Sequence, residues 1–242
     1  MCPPPLPTAM DEQSLRERVW DELDEAGEAR FPFPPTGRIP NFAGADVAAD
    51  RLTDTTAWRA AGTVKANPDA PQLPVRRAAL RAGKTVYMAV PRLRDERPFL
   101  ELDPDAIDDY DAATTVSGIG EYGRQVGPDA MPAIDLVVSG SVAVDEAGAR
   151  VGKGEGFSDL EWAVLRELAL VDGSTPVATT VHELQVRAEA WTPDAHDVPL
   201  DLVVTPERTV ETGAAGKPAG IDWSRLSAGD VAEMPVLERF EE

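Results

Sequence analysis

The chain has 242 residues, of which 43% are hydrophobic, so it is long enough for one large domain with a substantial core. Its 43 acidic residues outnumber its 23 basic residues, and the formal net charge is −20. Such a charge disfavours non-specific binding to nucleic acid, which depends on clustered lysine and arginine. It is also typical of proteins from a very salty cytosol, because salt at about 1 M screens charges beyond about 3 Å. We therefore expect an acidic, halophilic protein.

The start of the chain and its thiol content bear on its compartment. Cys2 is the only cysteine, which indicates a reducing compartment. No apolar run approaches the roughly 20 residues of a membrane span, and residues 1–10 lack the basic and apolar parts of a signal peptide. We expect a cytoplasmic protein with no membrane anchor, either a monomer or a small homo-oligomer. A disordered tail is predicted over residues 1–13, followed by a single domain over residues 14–242.

The first half of the chain alternates helical and strand patterns. Apolar spacing predicts a helix over residues 14–27, and four prolines make residues 31–40 an extended segment whose aromatic rings are expected to pack. Short helices are expected near residues 46–52 and 53–60. A strand, a helix and a strand then follow, over residues 62–67, 74–82 and 84–90. This order predicts a right-handed βαβ unit in a parallel sheet that is covered on both faces.

The second half has one weak region and several clear elements. Residues 95–132 carry little periodicity, so a short helix over residues 104–110 and a long loop through Gly118, Gly120, Gly123 and Gly127 are expected there. Short apolar runs rich in β-branched residues predict four further strands, over residues 134–138, 141–144, 177–181 and 202–205. Helices are predicted from Ser158 to about Gly173 and over residues 227–233.

A glycine-rich stretch between two of these elements is the strongest candidate site. Its glycines alternate with charged residues, in the order Gly152, Lys153, Gly154, Glu155 and Gly156. Ser158 and Glu161 have the spacing of a capping box, so a helix is expected to begin directly after it. Glycines let backbone N–H groups approach a ligand and a helix N-terminus favours anions, which is typical of a phosphate cradle. A purely structural turn is the alternative, but the nearby cations Arg150 and Lys153 exceed what a turn requires.

Other polar residues allow two interpretations each. Arg16, on the first predicted helix, is either solvated or directed at a ligand. His182 and Glu183 follow a strand, where α/β sheets place ligands, but they equally fit a cap or a solvated pair. His196 and Asp197 could orient a loop, and two histidines without cysteine partners do not make a zinc site. No GxSxG or other nucleophile motif supports covalent catalysis.

Two segments resemble the 5-formyltetrahydrofolate cyclo-ligase family. The first runs from the IDLVV strand through Asp145 and Arg150 to the Gly-x-Gly-x-Gly-aromatic-x-Asp pattern that ends at Asp159. The second combines Pro193 with His196-Asp197 ahead of a strand that ends in Thr. The chain is most similar to the branch of methenyltetrahydrofolate synthetase domain-containing proteins, over about residues 15–237. The resemblance implies a three-layer α/β/α domain with a mainly parallel sheet.

The resemblance also implies an activity and the residues for it. Family members close 5-formyltetrahydrofolate to 5,10-methenyltetrahydrofolate with ATP and magnesium, and release ADP and phosphate. The candidate catalytic residues are Arg150 and Lys153, and Asp159 is the candidate magnesium ligand. The candidate ATP contacts are Arg16, Gly152, Gly154, Gly156 and Phe157.

Three positions depart from the residues usual in the family. Glu12 stands where a lysine is usual, Ser158 where a tyrosine is usual, and Leu160 where an arginine is usual. The departures leave two hypotheses. The chain is either an ATP-dependent cyclo-ligase of folate metabolism or a catalytically reduced relative that binds a nucleotide or nucleic acid for regulation.

Overall fold

The structure is a computed structural model, and it describes residues 10–189 and 191–240. Its helices are α1 (Glu12–Glu25), α2 (Ala45–Thr53), α3 (Thr56–Ala60), α4 (Leu73–Arg81), α5 (Tyr110–Ala113), α6 (Val116–Tyr122), α7 (Phe157–Glu167) and α8 (Ala228–Glu233). Its strands are β1 (Ala29–Arg30), β2 (Asn41–Phe42), β3 (Thr63–Ala66), β4 (Thr85–Ala89), β5 (Phe99–Leu102), β6 (Arg124–Val126), β7 (Leu136–Val138), β8 (Ala143–Val144), β9 (Arg150–Val151), β10 (Val177–Thr180), β11 (Leu202–Val204) and β12 (Thr209–Glu211).

An eight-stranded sheet of order β12-β11-β10-β7-β3-β4-β5-β6 forms the centre of the molecule. The strands from β11 to β4 in this order run parallel, and antiparallel strands close both edges. The predicted βαβ unit is confirmed, since β3 and β4 pair in parallel with Val64 opposite Val86 and α4 connects them. The prediction of an α/β fold with a mainly parallel sheet is therefore confirmed.

Side chains along each strand point alternately to the two faces of this sheet, so the core has one part on each face. Val64, Ala66 and Val86 point to the face covered by α2, α3, α4 and α6. Tyr87 and Val137 point to the opposite face, which α7 and the C-terminal residues cover. Successive side chains of a strand leave on opposite faces, so these strands read as continuous apolar runs. The result is the expected three-layer arrangement.

Helix α1 packs against a smaller substructure, the β8–β9 hairpin. Leu15, Val19 and Leu23 are buried against a cluster that includes Val142 and Val151. The Asp11 side chain caps the helix by accepting a hydrogen bond from the Ser14 N–H. The helix therefore begins at Glu12, inside the predicted tail; the rest of that tail, residues 1–9 with Cys2, lies outside the described residues. Its packing brings Arg16 next to the residues that follow β9.

The region predicted to be a long loop contains regular structure. Residues 99–102 and 124–126 form the antiparallel edge strands β5 and β6. Gly118 and Gly120 lie within α6, whose start is capped by Thr115. The loop prediction was wrong because three-residue to four-residue edge strands carry too few positions to show a period. No described helix is long and apolar enough to cross a membrane.

Two local predictions also differ from the structure. Residues 31–40 form no helix or central strand, as expected, but the Phe31 and Phe33 side chains are 78% and 57% exposed instead of packed. Helix α7 begins at Phe157 after Gly156, which adopts a left-handed φ of 71°, and Ser158 does not cap it. It ends at Glu167, short of Gly173. The capping-box prediction was wrong because the Glu161 side chain has a partner elsewhere in the fold.

Candidate functional site

The candidate site lies at the carboxyl edge of the parallel strands. A cleft of about 370 Å³ is lined there by Asn67 after β3, Ala89 and Val90 at the end of β4, and Gly140 after β7. Residues 152–156, which we call the glycine loop, form the other side of the cleft. Open α/β sheets bind ligands at this edge, because the loops that follow parallel strands converge there.

The backbone conformation of the glycine loop favours glycine at two of its positions. Gly154 and Gly156 have φ values of 99° and 71°, which side chains of other residues disfavour. Gly154 also lies against Arg16, since a Cβ added there would be 3.6 Å from the Arg16 Cζ atom. The Arg16 Nε donates to the Gly152 carbonyl at 2.7 Å. Arg16 thus contacts the glycine loop, and the same guanidinium forms an ion pair with Glu12.

Arg150 and Asp159 connect the two ends of the loop. The Arg150 Nη2 donates to the Asp159 Oδ1 and Oδ2 at 2.6 and 2.5 Å, and its Nη1 donates to the Gly140 carbonyl at 3.0 Å. Both side chains are at least nine-tenths buried. Burial opposes the charge on Arg150, but the Asp159 carboxylate outweighs it, and the pKa of Arg150 is raised. Asp159 also accepts from the Val198 N–H at 3.0 Å, which ties α7 to the residues before β11.

A second, smaller space of about 140 Å³ lies on the other side of the glycine loop. Arg16, Arg150 and Asp159 line it together with Glu12 and Asp197. Burial raises the pKa of Asp197, and the negative charges of Asp159 and Glu12 add to that rise. We call this space the polar pocket. Sequence reasoning assigned Asp197 to loop orientation and missed that it faces Asp159, since 38 residues separate them and only the fold brings them together.

Lys153 and Phe157 face the larger cleft. The Lys153 Nζ lies 2.8 Å from the Glu155 Oε2, with side chains 37% and 42% exposed, so solvent weakens this pair. The Arg92 guanidinium lies 5.9 Å from the centre of the Phe157 ring, a cation–π distance. Arg92 has a φ of 59°, which is uncommon for a residue other than glycine. The available signal for Arg92 was its position directly after a strand, in the segment Pro91-Arg92-Leu93-Arg94.

A buried ion pair closes the floor of the cleft. Lys65 on β3 is 1% exposed, and its ammonium contacts the Glu161 carboxylate on the first turns of α7. The Lys65 Nζ also donates to the Asn67 Oδ1 at 2.8 Å. Glu161 and Asn67 line the cleft, so its floor is polar. The signal that could have found Lys65 is a lysine on the buried face of an otherwise apolar strand.

Asp69 is the other carboxylate of the cleft. It lies in the loop after β3, and burial raises its pKa although the positive charge of Lys153 opposes the rise. The loop is held from beneath by Arg76, whose guanidinium donates to the carbonyls of Asn67 at 2.6 Å, Asp69 at 3.0 Å and Thr114 at 3.1 Å. Arg76 is buried, and burial lowers its pKa to about 10. Sequence reasoning identified neither residue.

The acidic residues of the polar pocket are compatible with magnesium. Within residues 10–189 and 191–240, no group of three or more His, Cys, Asp or Glu side chains is arranged to hold a metal ion by itself. Magnesium, however, is bound through one or two carboxylates together with phosphate oxygens and water. Asp159 and Asp197 supply two such carboxylates, and the pKa of Asp197 is raised by burial first and by the negative charges of Asp159 and Glu12 second. The His196 Nε2 lies 3.5 Å from the Asp197 Oδ1. The His182 Nδ1 accepts a hydrogen bond from the Leu184 N–H and so acts as a cap.

Most of the chain matches the sequence pattern of a known protein family. The sequence model of the 5-formyltetrahydrofolate cyclo-ligase family matches residues 9–206. The chain belongs to this family. Among curated relatives, the cyclo-ligase family member described as methenyltetrahydrofolate synthase domain-containing protein of Mus musculus is 42% identical over 239 residues, which are 96% of this chain and 64% of the relative. The Bos taurus protein of the same description is 42% identical over 94% of this chain and 61% of its own length.

These relatives confirm the resemblance to the domain-containing branch of the cyclo-ligase family. The chain spans less than two thirds of the length of either relative. Among solved structures, the 5,10-methenyltetrahydrofolate synthetase of Aquifex aeolicus is similar with a TM-score of 0.52 and 17% identity, covering 90% of this chain and all of the other. At that identity the similarity supports the fold, which is the α/β fold described above.

Proposed function

We propose that the domain formed by residues 14–242 catalyses the ATP-dependent conversion of 5-formyltetrahydrofolate to 5,10-methenyltetrahydrofolate. The observation that carries the proposal is the position of the glycine loop between two adjoining spaces. Arg150, Gly152, Gly156 and Asp159 line both the cleft and the polar pocket. A phosphoryl transfer between two ligands requires that they meet at one point, and these residues lie at such a point.

The two spaces differ in the ligand chemistry that they suit. The polar pocket is small and combines the guanidiniums of Arg16 and Arg150 with several carboxylates, which suits a polyphosphate bound together with magnesium. The cleft is larger and lined by apolar residues such as Ile39 and Phe157 together with Asp69 and Glu161, which suits a ring with N–H donors. A pterin has this character. We therefore assign ATP to the polar pocket and the folate to the cleft.

The proposed reaction needs positioning and charge neutralisation more than covalent help. The formyl oxygen attacks the γ-phosphorus of ATP, and ADP leaves. The N10 nitrogen then attacks the activated formyl carbon and loses its proton, and the bond from that carbon to the phosphorylated oxygen breaks, so phosphate leaves as the methenyl bridge forms. Lys153 is the cation positioned at the cleft side of the loop, and Arg150 holds the loop and α7 in place. Asp159 and Asp197 would hold magnesium, which when bound neutralises phosphate charge.

An assay of the purified chain tests the proposal. In molar KCl, the near-ultraviolet absorbance of a methenylfolate should appear only when ATP, magnesium and 5-formyltetrahydrofolate are all present. Lys153→Ala should reduce turnover at least tenfold without a change in the unfolding midpoint, and Lys153→Arg should retain part of the activity. Absence of product under all of these conditions would exclude the proposed reaction.

A second candidate, a binding protein with reduced turnover, rests on the pairing of the cations. Arg150 is paired with Asp159 and also donates to the Gly140 carbonyl, and Arg16 is paired with Glu12. Both guanidiniums are thus neutralised before a phosphate arrives. This candidate predicts ATP binding by calorimetry with no folate turnover, whereas a cyclo-ligase shows both.

A further inference from the structure

The C-terminal segment adds a wall to the site from outside the part matched by the family. Residues 207–240 follow the matched residues 9–206. The segment is firmly attached, since Met234, Val236 and Leu237 are buried in the main core. The Trp162 Nε1 on α7 donates to the Pro218 carbonyl at 3.1 Å, and the Ile221 N–H donates to the Glu167 Oε1 at 3.1 Å. Residues 218–237 therefore lie along α7.

A cavity of about 240 Å³ remains between this segment and the start of α7. Its apolar wall includes Leu160 and Ala163 from α7, and Leu226 and Met234 from the C-terminal segment. Its polar residues include Asp222, Arg225, Asp230 and His196. Small-molecule sites usually combine apolar walls with polar groups that orient the ligand, and this cavity has both, so it suits a ring that carries polar substituents.

The cavity adjoins the polar pocket. Gly156, Asp159, His196 and Arg225 line both spaces. Arg225 is the cation at this junction; its side chain is 50% exposed, and its one side-chain partner among the described residues is the Asp194 carboxylate at 3.5 Å. A guanidinium held this loosely can turn to a phosphate. One ligand with an anionic end and a ring end would thus occupy both spaces.

Two carboxylates of the cavity each have one oxygen that accepts no hydrogen bond from a described residue. The Asp222 Oδ1 accepts from the N–H and Oγ of Ser224, while its Oδ2 accepts from no described residue. The Asp230 Oδ2 likewise accepts from the N–H and Oγ of Ser227, while its Oδ1 accepts from no described residue. Carboxylate oxygens of this kind suit hydroxyl donors such as those of a ribose.

We propose that residues 220–234 complete a nucleoside site, in which the base and ribose of the nucleotide lie between α7 and the C-terminal segment and Arg225 contacts the phosphates. This inference rests on the proposed function, because it assumes that the polar pocket takes the polyphosphate of ATP. It assigns recognition of the nucleoside to a part of the chain beyond the family match.

Calorimetry with two ligands tests the nucleoside site directly. In the presence of magnesium and molar KCl, the wild-type chain should bind ATP at least tenfold more tightly than inorganic triphosphate. Leu226→Trp, which fills the cavity, should abolish that difference while leaving the affinity for inorganic triphosphate unchanged. Equal affinities of the wild-type chain for the two ligands would overturn the inference without any variant.

Variants at Arg225 separate this inference from the proposed function. Arg225→Ala should weaken ATP binding about tenfold, and the control Arg94→Ala should not, although Arg94 is also 50% exposed and also pairs with the segment, through Glu233. If folate turnover proceeds and neither Leu226→Trp nor Arg225→Ala raises the KM for ATP, the nucleoside site is wrong and the proposed function stands. If the wild-type chain prefers ATP to triphosphate as expected but never converts the folate, the proposed function fails and the nucleoside site stands.

Discussion

Arg150 donates to both carboxylate oxygens of Asp159 at the point where the glycine loop becomes α7. The pair is buried, so each charge depends on the other for its stability in the interior. It therefore has a structural role that is separate from any contact with a ligand.

Breaking the Arg150–Asp159 pair from one side should strongly destabilise the protein. Arg150→Met leaves Asp159 buried without its cation, and we expect a loss of about 3–5 kcal/mol in the free energy of unfolding. The double variant Arg150→Met/Asp159→Leu should recover most of this loss, because no unpaired charge remains. The control Arg59→Ala removes an exposed pair with Asp54 and should cost less than about 1 kcal/mol. Denaturant unfolding in molar KCl measures all three, and additive losses would contradict the interpretation.

The raised pKa of Asp69 predicts an unusual pH dependence. Burial raises this pKa above the ordinary value of 3.8, so the folded protein retains the proton to higher pH than the unfolded chain does. Stability then falls as the pH rises from the ordinary pKa through the raised one. Asp69→Asn should therefore be more stable than wild type at about pH 7, and the difference should shrink towards about pH 4. Denaturant unfolding across this range measures the difference.

Asp135 provides a control of opposite sign for Asp69. Burial would raise its pKa, but hydrogen bonds from Thr63 and the Gly62 N–H outweigh it, and the pKa is lowered. The stability that Asp135 contributes is present above the unfolded pKa and is lost as the pH falls through the folded one. Asp135→Asn should therefore be less stable than wild type at about pH 7 and converge with it in acid. Parallel pH profiles for the two variants would refute the assignment.

Arg76 should act on the cleft through the loop that it supports. Arg76→Met removes the donor for three carbonyl oxygens, and we expect a loss of about 2–5 kcal/mol in stability. If the protein stays folded in high salt, the KM for the folate should rise more than kcat falls, because Asn67 and Asp69 lose their positions. The neighbouring Arg77→Met is the control, because Arg77 forms an ion pair with the Asp111 carboxylate, whose side chain is 60% exposed. An equal effect of both changes would argue against a positioning role.

The pairing of Glu12 with Arg16 should limit nucleotide affinity. Glu12→Gln removes the carboxylate that competes with phosphate for the Arg16 guanidinium. An ion pair of this partial exposure corresponds to roughly 0.5–1 kcal/mol, so ATP should bind about 2-fold to 5-fold more tightly. Glu17→Gln, on the same helix but bonded to Gln13, should leave the affinity unchanged. Calorimetric titration compares them, and weaker ATP binding by Glu12→Gln would reverse the proposed role.

The net charge of −20 should make stability depend on salt. Repulsion among surface carboxylates is screened as the Debye length falls from about 10 Å at 0.1 M to about 3 Å at 1 M. We expect the unfolding midpoint to rise steadily with KCl over this range. A midpoint that stays constant in KCl would contradict the prediction of a halophilic protein.

Local signals were sufficient for much of the fold. The β3–α4–β4 unit follows from two apolar runs and an intervening helical pattern, each within a few residues of its predicted bounds. The glycine loop could be found from the sequence because Gly154 and Gly156 adopt positive φ values, which favour glycine over other residue types. Arg16 and Arg150 were placed at the loop by resemblance, and the structure brings both to it.

The rest depends on contacts between distant parts of the chain. Glu161 was read as part of a cap because its true partner, Lys65, is 96 positions away. Asp197 and Arg225 reach the polar pocket from separate segments of the chain. No periodic pattern in the sequence around either residue indicates where its side chain points. The aromatic rings of Phe31 and Phe33 suggested packing, yet the fold leaves both exposed. Pairings of this kind are set by tertiary structure, which residue spacing along the chain does not report.

The ion pair between Lys65 and Glu161 also fixes the register of α7 on the sheet. Lys65 lies on the central strand β3, and Glu161 lies one turn inside the helix that begins directly after the glycine loop. Sliding or rotating α7 by one residue would leave two charges in the interior without partners, at a cost of about 3–5 kcal/mol. The start of α7, together with Gly156 at the end of the glycine loop, is therefore held in a fixed position relative to the carboxyl ends of the strands. Ligands that meet at the loop meet a rigid edge of the sheet, and adaptation to them falls to the side chains of Lys153, Arg92 and Arg225.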